Sequence, residues 1–109
     1  MLLPEPQATK ARLEQHVKLF DSRDKNLQLG VVAFRKKILS EPRRKDQVAK
    51  FIKAYNIAVD SINSRGVQHY ARIITKYTGA DAKTISNLPK LKYEHAMEPR
   101  RRDLAVAQK

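Results

Sequence analysis

The sequence predicts an α/β fold in which helices predominate, with two short strands and four to five helices. Two short segments, 16–20 and 28–34, have the alternation or the β-branched content of strands. A longer segment, from about Arg43 to Asn63, repeats apolar residues at helical spacing. The 109 residues, of which 41% are hydrophobic, suffice for one small domain with a modest core.

The first helix is predicted to begin near Pro6 and to run towards Leu13. Pro4 and Pro6 impose extended or turn geometry on the residues before it, and proline is tolerated in the first turn of a helix. The chain therefore enters this helix from a proline-containing turn.

The first strand is predicted at HVKLF, residues 16–20. Val17 and Leu19 alternate with polar residues, so both would lie on one face of the strand. The polar residues 21–26, DSRDKN, then form a loop.

The next segment fits two structures. A helical stripe would use Leu27, Val31, Phe34 and Ile38, whereas the Val31–Val32 pair and the internal Gly30 suit a buried strand. We favour a strand at 28–34, followed by a helical turn from Lys36 to Leu39.

The long helix is the strongest local prediction. Pro42 has the position of a first helical residue, with Ser40 or Glu41 as its cap. One face carries a broad apolar stripe, and Ile57 lies on the opposite side, so the helix should contact two neighbours. The stripe consists of Val48, Phe51, Ile52, Tyr55, Val59 and Ile62.

Two more helices are predicted after a break at residues 64–66. The first runs from Val67 to about Thr78, and Gly79 is a suitable residue to end it. Asp81 is expected to cap a short helix that Pro89 ends.

The whole chain, 1–109, is predicted to be a single domain. Residues 90–99 have no regular pattern, and residues 99–109 resemble the start of a final helix that the chain does not complete. The first ten residues lack the charged and apolar regions of a signal peptide, so we expect no export signal in this chain.

The chain is strongly basic, with 23 Lys and Arg against 11 Asp and Glu and a formal charge of +12. Such a surplus attracts polyanions through counterion release. There is no cysteine, which excludes disulfides and thiolate metal sites. No apolar run approaches the ~18 residues that a membrane span needs.

Six segments occur in the order and spacing of a known family. The chain resembles the C-terminal portion of the substrate-binding proteins that serve ABC importers of the nitrate, sulfonate and taurine type. The match extends over nearly the whole chain, although each motif reflects fold more than chemistry. The segments are LLPEPQATKA, KLFDSRD, GVVAFRKKILSEP, FIKAYNIAVDSIN, ITKYTG and LPKLKYEHAMEP.

The resemblance implies a partial lobe of a periplasmic-binding-protein-like (type II) fold. It implies a solute-binding component of an importer, or a truncated fragment of one, for a small and often anionic solute. The full-length family acts in the periplasm or as extracellular lipid-anchored proteins, and it docks on an ABC permease after its two lobes close around the solute. Since much of such a protein is absent here, we expect weak solute binding or none.

The resemblance also indicates ligand-binding residues. Glu5 lies at a strand-to-helix junction, and such junctions border the ligand cleft in open α/β sheets. Gln7 and Thr9, in the same turn, are further candidates. The exposed apolar faces left by the missing part of the protein lead us to expect a homodimer or an exchange of segments.

The alternative is a small basic nucleic-acid-binding protein. Basic clusters at 35–37, 43–45 and 100–102 would contact phosphates, but stacking on bases also needs exposed aromatic rings. The aromatic residues lie on the apolar stripes and are expected in the core, so we consider nucleic acid an unlikely partner.

No catalytic arrangement is recognisable. The sequence has no nucleophile–base motif or glycine-rich phosphate loop, and it contains only 3 Gly. The histidines, His16, His69 and His95, do not have the spacing of metal ligands. We therefore expect a chain that is not an enzyme and that has no catalytic residue, no metal and no cofactor.

Overall fold

The computed structural model describes residues 3–25 and 30–108, and 62% of it is helical. Six α-helices and two 3₁₀ helices follow one another within these described residues. The α-helices are α1 (Gln7–Leu13), α2 (Lys36–Ser40), α3 (Pro42–Arg65), α4 (Ala71–Thr78), α5 (Ala82–Ser86) and α6 (Arg101–Ala107). The 3₁₀ helices are Ser22–Lys25 and Val67–Tyr70.

The described residues contain no strand, so the predicted α/β class is wrong. Val17 and Leu19 are 81% and 95% exposed, and residues 30–34 are irregular and exposed. A strand needs a partner for its backbone groups and a layer to cover its apolar face. Neither segment has such a layer, so alternation alone does not make a strand; residues 28 and 29 of the second prediction lie outside the described residues.

The same finding overturns the partial lobe of a periplasmic-binding-protein-like (type II) fold. That architecture requires helices packed on a sheet, whereas the described part of this chain is helical with irregular connections. The long helix is confirmed with Pro42 as its first residue, α2 coincides with the helical turn predicted at 36–39, and α1 begins directly after Pro6. The helix predicted from Val67 to about Thr78 is a 3₁₀ helix over Val67–Tyr70 and becomes α-helical from Ala71.

The chain divides into two compact units. Unit 1 consists of Met1–Leu19 and Ile57–Glu94, and unit 2 consists of Phe20–Asn56 and His95–Lys109. Helix α3 begins in unit 2 and ends in unit 1.

Unit 1 contains the buried apolar side chains, Val59 of α3 and Ile85 of α5. Helix α5 contacts α1, α4 and the 3₁₀ helix at Val67–Tyr70. Thr9 and Thr84 are buried in the same unit. A short helix with three neighbours is therefore the centre of this small core.

Two local signals position α5. Gly79 ends α4 in the left-handed conformation at φ 71°, which glycine adopts without steric cost, and its N–H donates to the Thr75 carbonyl at 2.9 Å. Asp81 then caps α5, because its carboxylate accepts the Thr84 N–H at 2.7 Å. The hydrogen bonds from Thr84, first its backbone and then its side chain, lower the pKa of Asp81.

Unit 2 has a different character. Its α3 residues Phe51, Ile52 and Tyr55 are exposed, and Phe34 packs edge-on against Phe51 with ring centroids 5.9 Å apart. None of the described apolar side chains in this unit is buried. The expectation that the aromatic residues form a core is therefore wrong for these residues, and it is also wrong for Tyr77 in unit 1.

Among the described residues of unit 2, the buried side chain is a carboxylate. Asp103 in α6 is 5% exposed, and its Oδ2 accepts a hydrogen bond from Arg100 Nε at 2.7 Å. Arg102 Nε lies 3.6 Å from the other oxygen. The final helix thus begins with an ion-paired turn rather than with an apolar contact.

Candidate functional site

A cavity of about 140 Å³ lies within unit 1. The N-terminal turn lines one part of this cavity, and segments that are far away in the sequence line the rest. Most of its walls are apolar, and Glu5 is the one charged residue among them. The lining residues are Glu5, Pro6, Val67, Ile74, Thr78, Leu88, Pro89, Leu91 and Tyr93.

Glu5 lines this cavity, as the prediction of a cleft residue would require, and it also has a structural role. Its Oε2 accepts the Thr9 N–H at 3.1 Å, which satisfies a backbone donor in the first turn of α1. Gln7 is exposed and does not line the cavity, and Thr9 is buried with 2% of its surface exposed. The structure therefore brings one of the three predicted ligand residues to the cavity.

A second cavity, of about 270 Å³, shares a wall with the first. Val67, Leu88, Pro89, Leu91 and Tyr93 line both of them. Its charged lining residues are Arg65 and Lys90. The two adjoining cavities thus have charges of opposite sign, a carboxylate in one and two cations in the other.

Arg65 is the last residue of α3, where a cation also interacts favourably with the helix dipole. Its Nη1 lies 3.4 Å from Nε2 of His69, four residues later. This contact holds the guanidinium near the turn at Gly66, which also lines the second cavity.

An irregular segment, 88–93, forms the shared wall. Asn63 holds its end through two hydrogen bonds with Tyr93, since Nδ2 donates to the Tyr93 carbonyl at 2.8 Å and Oδ1 accepts its N–H at 2.9 Å. Gln68 Nε2 donates to the carbonyls of Ile85 and Leu88 at 3.4 Å. Side-chain amides therefore satisfy some of the backbone groups of this segment and of the end of α5.

The sequence analysis did not identify Asn63, Gln68 or Arg65 as functional. Asn63 appeared only as the last residue of the long helix, and a single amide carries no spacing signal.

The described residues offer no group of three or more His, Asp or Glu side chains that could bind a metal ion. None of the helices in the described part of the chain is long and apolar enough to cross a membrane.

Comparisons with known proteins give no relative. No protein-family model matches the chain, and searches of curated proteins and of solved structures also find no match. The resemblance to substrate-binding proteins therefore rests on the six quoted segments alone.

Proposed function

We propose that this chain is a solute-binding component, or a fragment of one, of an ABC importer for a small solute. One observation carries the proposal: three of the six family-like segments line a single cavity. Glu5 and Pro6 belong to LLPEPQATKA, Ile74 and Thr78 to ITKYTG, and Tyr93 to LPKLKYEHAMEP. None of these segments has a chemical motif of its own, and a ligand bound in the cavity would give all three the same function.

The charges of the two cavities support a polar solute. Arg65 and Lys90 suit an anionic group such as nitrate, carboxylate or sulfonate. Glu5 suits an ammonium group or another hydrogen-bond donor. A small molecule with an anionic end, with or without an amine, therefore fits the pair of cavities best.

Binding should be weak. The cavities are small, and the cationic side chains beside them are exposed, so water competes for every polar contact. We expect dissociation constants of about 1 mM or weaker. A micromolar dissociation constant would contradict the expected weak binding, although it would support the proposed function.

The test is an NMR titration of the 109-residue chain with nitrate, taurine and ethanesulfonate, in which backbone amide shifts are followed. We expect shifts confined to residues around the cavities, including Glu5 and Tyr93. Arg65→Gln should reduce the affinity for every anion. Arg72→Gln, which removes an exposed arginine of α4 outside both cavities, should leave it unchanged.

A second pair of variants tests the role of the Glu5 carboxylate in the smaller cavity. Glu5→Gln retains an oxygen that accepts the Thr9 N–H but removes the charge, so it should weaken taurine binding more than ethanesulfonate binding. Glu14→Gln, at an exposed position just after α1, is its control. The proposal fails if none of the solutes causes localised shifts, or if the cavity variants and their controls behave alike.

A nucleic-acid-binding protein is the second candidate, because exposed aromatic rings lie beside basic residues in unit 2. Phe34 precedes the cluster 35–37, and Phe51 follows Lys50 on α3. Exposed rings beside cations are what single-strand binding uses. This candidate requires binding to single-stranded DNA that persists at about 0.15 M salt and that Phe51→Ala weakens. Weak binding that disappears at that salt concentration would indicate charge attraction alone.

A further inference from the structure

The apolar stripe of α3 is exposed over its middle part, which lies between the half-buried Val48 and the buried Val59. In unit 1, Val59 is 5% exposed and Ile62 is half-buried. In unit 2, Phe51, Ile52 and Tyr55 of the same stripe are 48%, 38% and 42% exposed. We call these three residues, together with Phe34, the exposed stripe.

Apolar residues that remain exposed next to one another on a soluble protein are candidates for an interaction site. Phe34 and Phe51 pack edge-on with ring centroids 5.9 Å apart, so the exposed stripe is continuous between the two chain segments that carry it.

Cations flank the exposed stripe on both sides. At 100° per residue, Lys45 lies about 20° beyond Ile52 on one side of α3, and Arg43 and Lys50 lie about 80° and 100° beyond Phe51 on the other. Lys50 pairs with Asp46 at 3.1 Å, whereas no carboxylate of the described residues lies within ion-pair distance of Arg43 or Lys45. The stripe is thus an apolar ridge with a basic rim.

The charge of unit 2 decides what can cover this ridge. The unit has 14 Lys and Arg against 6 Asp and Glu, a formal charge of +8, whereas unit 1 has 9 against 5, or +4. A second copy would place the same basic rim against itself, which like-charge repulsion opposes. An acidic partner would gain both apolar burial and favourable charge pairing.

We propose that the exposed stripe is a docking surface for an amphipathic protein helix with an apolar face and acidic flanks. A helix is favoured because α3 presents its apolar residues at helical spacing, which suits helix-against-helix packing. Aliphatic Ile52 within the stripe suits apolar side chains better than nucleic-acid bases. This surface lies in unit 2, so the inference is independent of the solute-binding cavities in unit 1.

The experiment uses two synthetic helical peptides with the same leucine face, one with glutamate and one with lysine at the flanking positions. Binding to the intact chain is measured by fluorescence anisotropy at about 0.15 M salt. We expect the glutamate peptide to bind at least about tenfold more tightly than the lysine peptide. Tyr55→Ala should weaken that binding by about tenfold, and Lys45→Glu should also weaken it.

Tyr77→Ala is the matched control, because Tyr77 is an exposed tyrosine of α4 outside the stripe. It should leave peptide binding unchanged, and circular dichroism of both tyrosine variants should show the wild-type helix content. Three outcomes overturn the proposal: equal binding or no binding of the two peptides, an equal effect of Tyr55→Ala and Tyr77→Ala, or competition by another occupant. Sedimentation equilibrium would reveal a dimer that Tyr55→Ala dissociates, and single-stranded DNA that displaces the glutamate peptide would indicate nucleic acid.

Discussion

The two units of this chain differ in what holds them together. Unit 1 buries Ile85 and Val59, and α5 contacts three neighbouring helices. Among the described residues of unit 2, none of the apolar side chains is buried, and the buried side chain is the ion-paired Asp103. Burial of apolar surface dominates folding free energy, whereas ion pairs contribute little. Unit 1 should therefore be the more stable of the two.

Helix α3 makes the comparison sharper because it belongs to both units. Along its apolar stripe, Val59 is buried in unit 1, whereas Phe51, Ile52 and Tyr55 are exposed in unit 2. The pattern of a helix thus indicates which face should be buried, but not whether the rest of the chain packs against that face.

The largest expected effect compares one core residue with one stripe residue. Ile85→Ala, at a position that is 2% exposed, should lower the free energy of unfolding by about 2–5 kcal/mol. Phe51→Ala should lower it by about 1 kcal/mol, since roughly half of that side chain is already in water. Urea denaturation followed by circular dichroism measures both. Equal losses would mean that unit 2 has a core of its own.

The second comparison uses two asparagines of α3. Asn63 makes two hydrogen bonds with Tyr93 in unit 1, whereas Asn56 accepts one from the Ala96 N–H in unit 2, at 2.8 Å. At about 0.5–1.5 kcal/mol for each bond, Asn63→Ala should destabilise the chain by about 1–3 kcal/mol and Asn56→Ala by about half as much. A larger loss for Asn56→Ala in the same urea assay would reverse the ranking of the two units.

The third comparison uses two glycines. Gly79→Ala introduces a side chain at φ 71°, where no neighbouring atom lies within 4 Å of the new Cβ, so the cost is the backbone strain of about 1 kcal/mol. Gly30→Ala in unit 2 also meets open space and has no positive φ, so it should not lower the melting temperature. Both positions meet open space, so thermal melts of the two variants isolate the strain of the positive φ at Gly79. A Gly79→Ala variant that melts with the wild type would show that this backbone conformation carries no such strain.

The smallest effect is a change in pH dependence. The hydrogen bonds from Thr84 lower the pKa of Asp81 below its ordinary value of 3.8, so this carboxylate adds stability above that pH and loses it as the pH falls through the folded pKa. Asp81→Asn retains a capping oxygen without a titrating group. The stability of the wild type relative to this variant should therefore decrease on acidification below about pH 5. Parallel melting curves across this range would count against the assigned cap.

Much of the helical structure was predictable because its signals are local. Pro42 at the first position of α3, Gly79 after α4 and Asp81 before α5 each act through their own backbone or that of their neighbours. Such signals do not depend on the rest of the fold, and the structure confirms all three.

The errors concern features that depend on distant residues. HVKLF alternates as a strand does, but no neighbouring edge or layer is present to pair with or to cover Val17 and Leu19. The aromatic residues of α3 lie on an apolar stripe and were therefore expected in a core, but no other part of the described chain buries them. At the site, Glu5 was predicted from its junction, whereas the role of Asn63 depends on Tyr93, thirty residues away, to which no sequence pattern connects it.

Hydrogen exchange of backbone amides, resolved by residue, tests the central claim most directly. The account predicts that α5, α4 and the part of α3 from Ile57 onwards exchange slowly, and that α2 and the part of α3 before Asn56 exchange much faster. Such a boundary within one continuous helix would show that tertiary packing, not helix propensity, determines the local stability of α3. Uniform protection along α3, or slower exchange in its N-terminal half, would contradict the account.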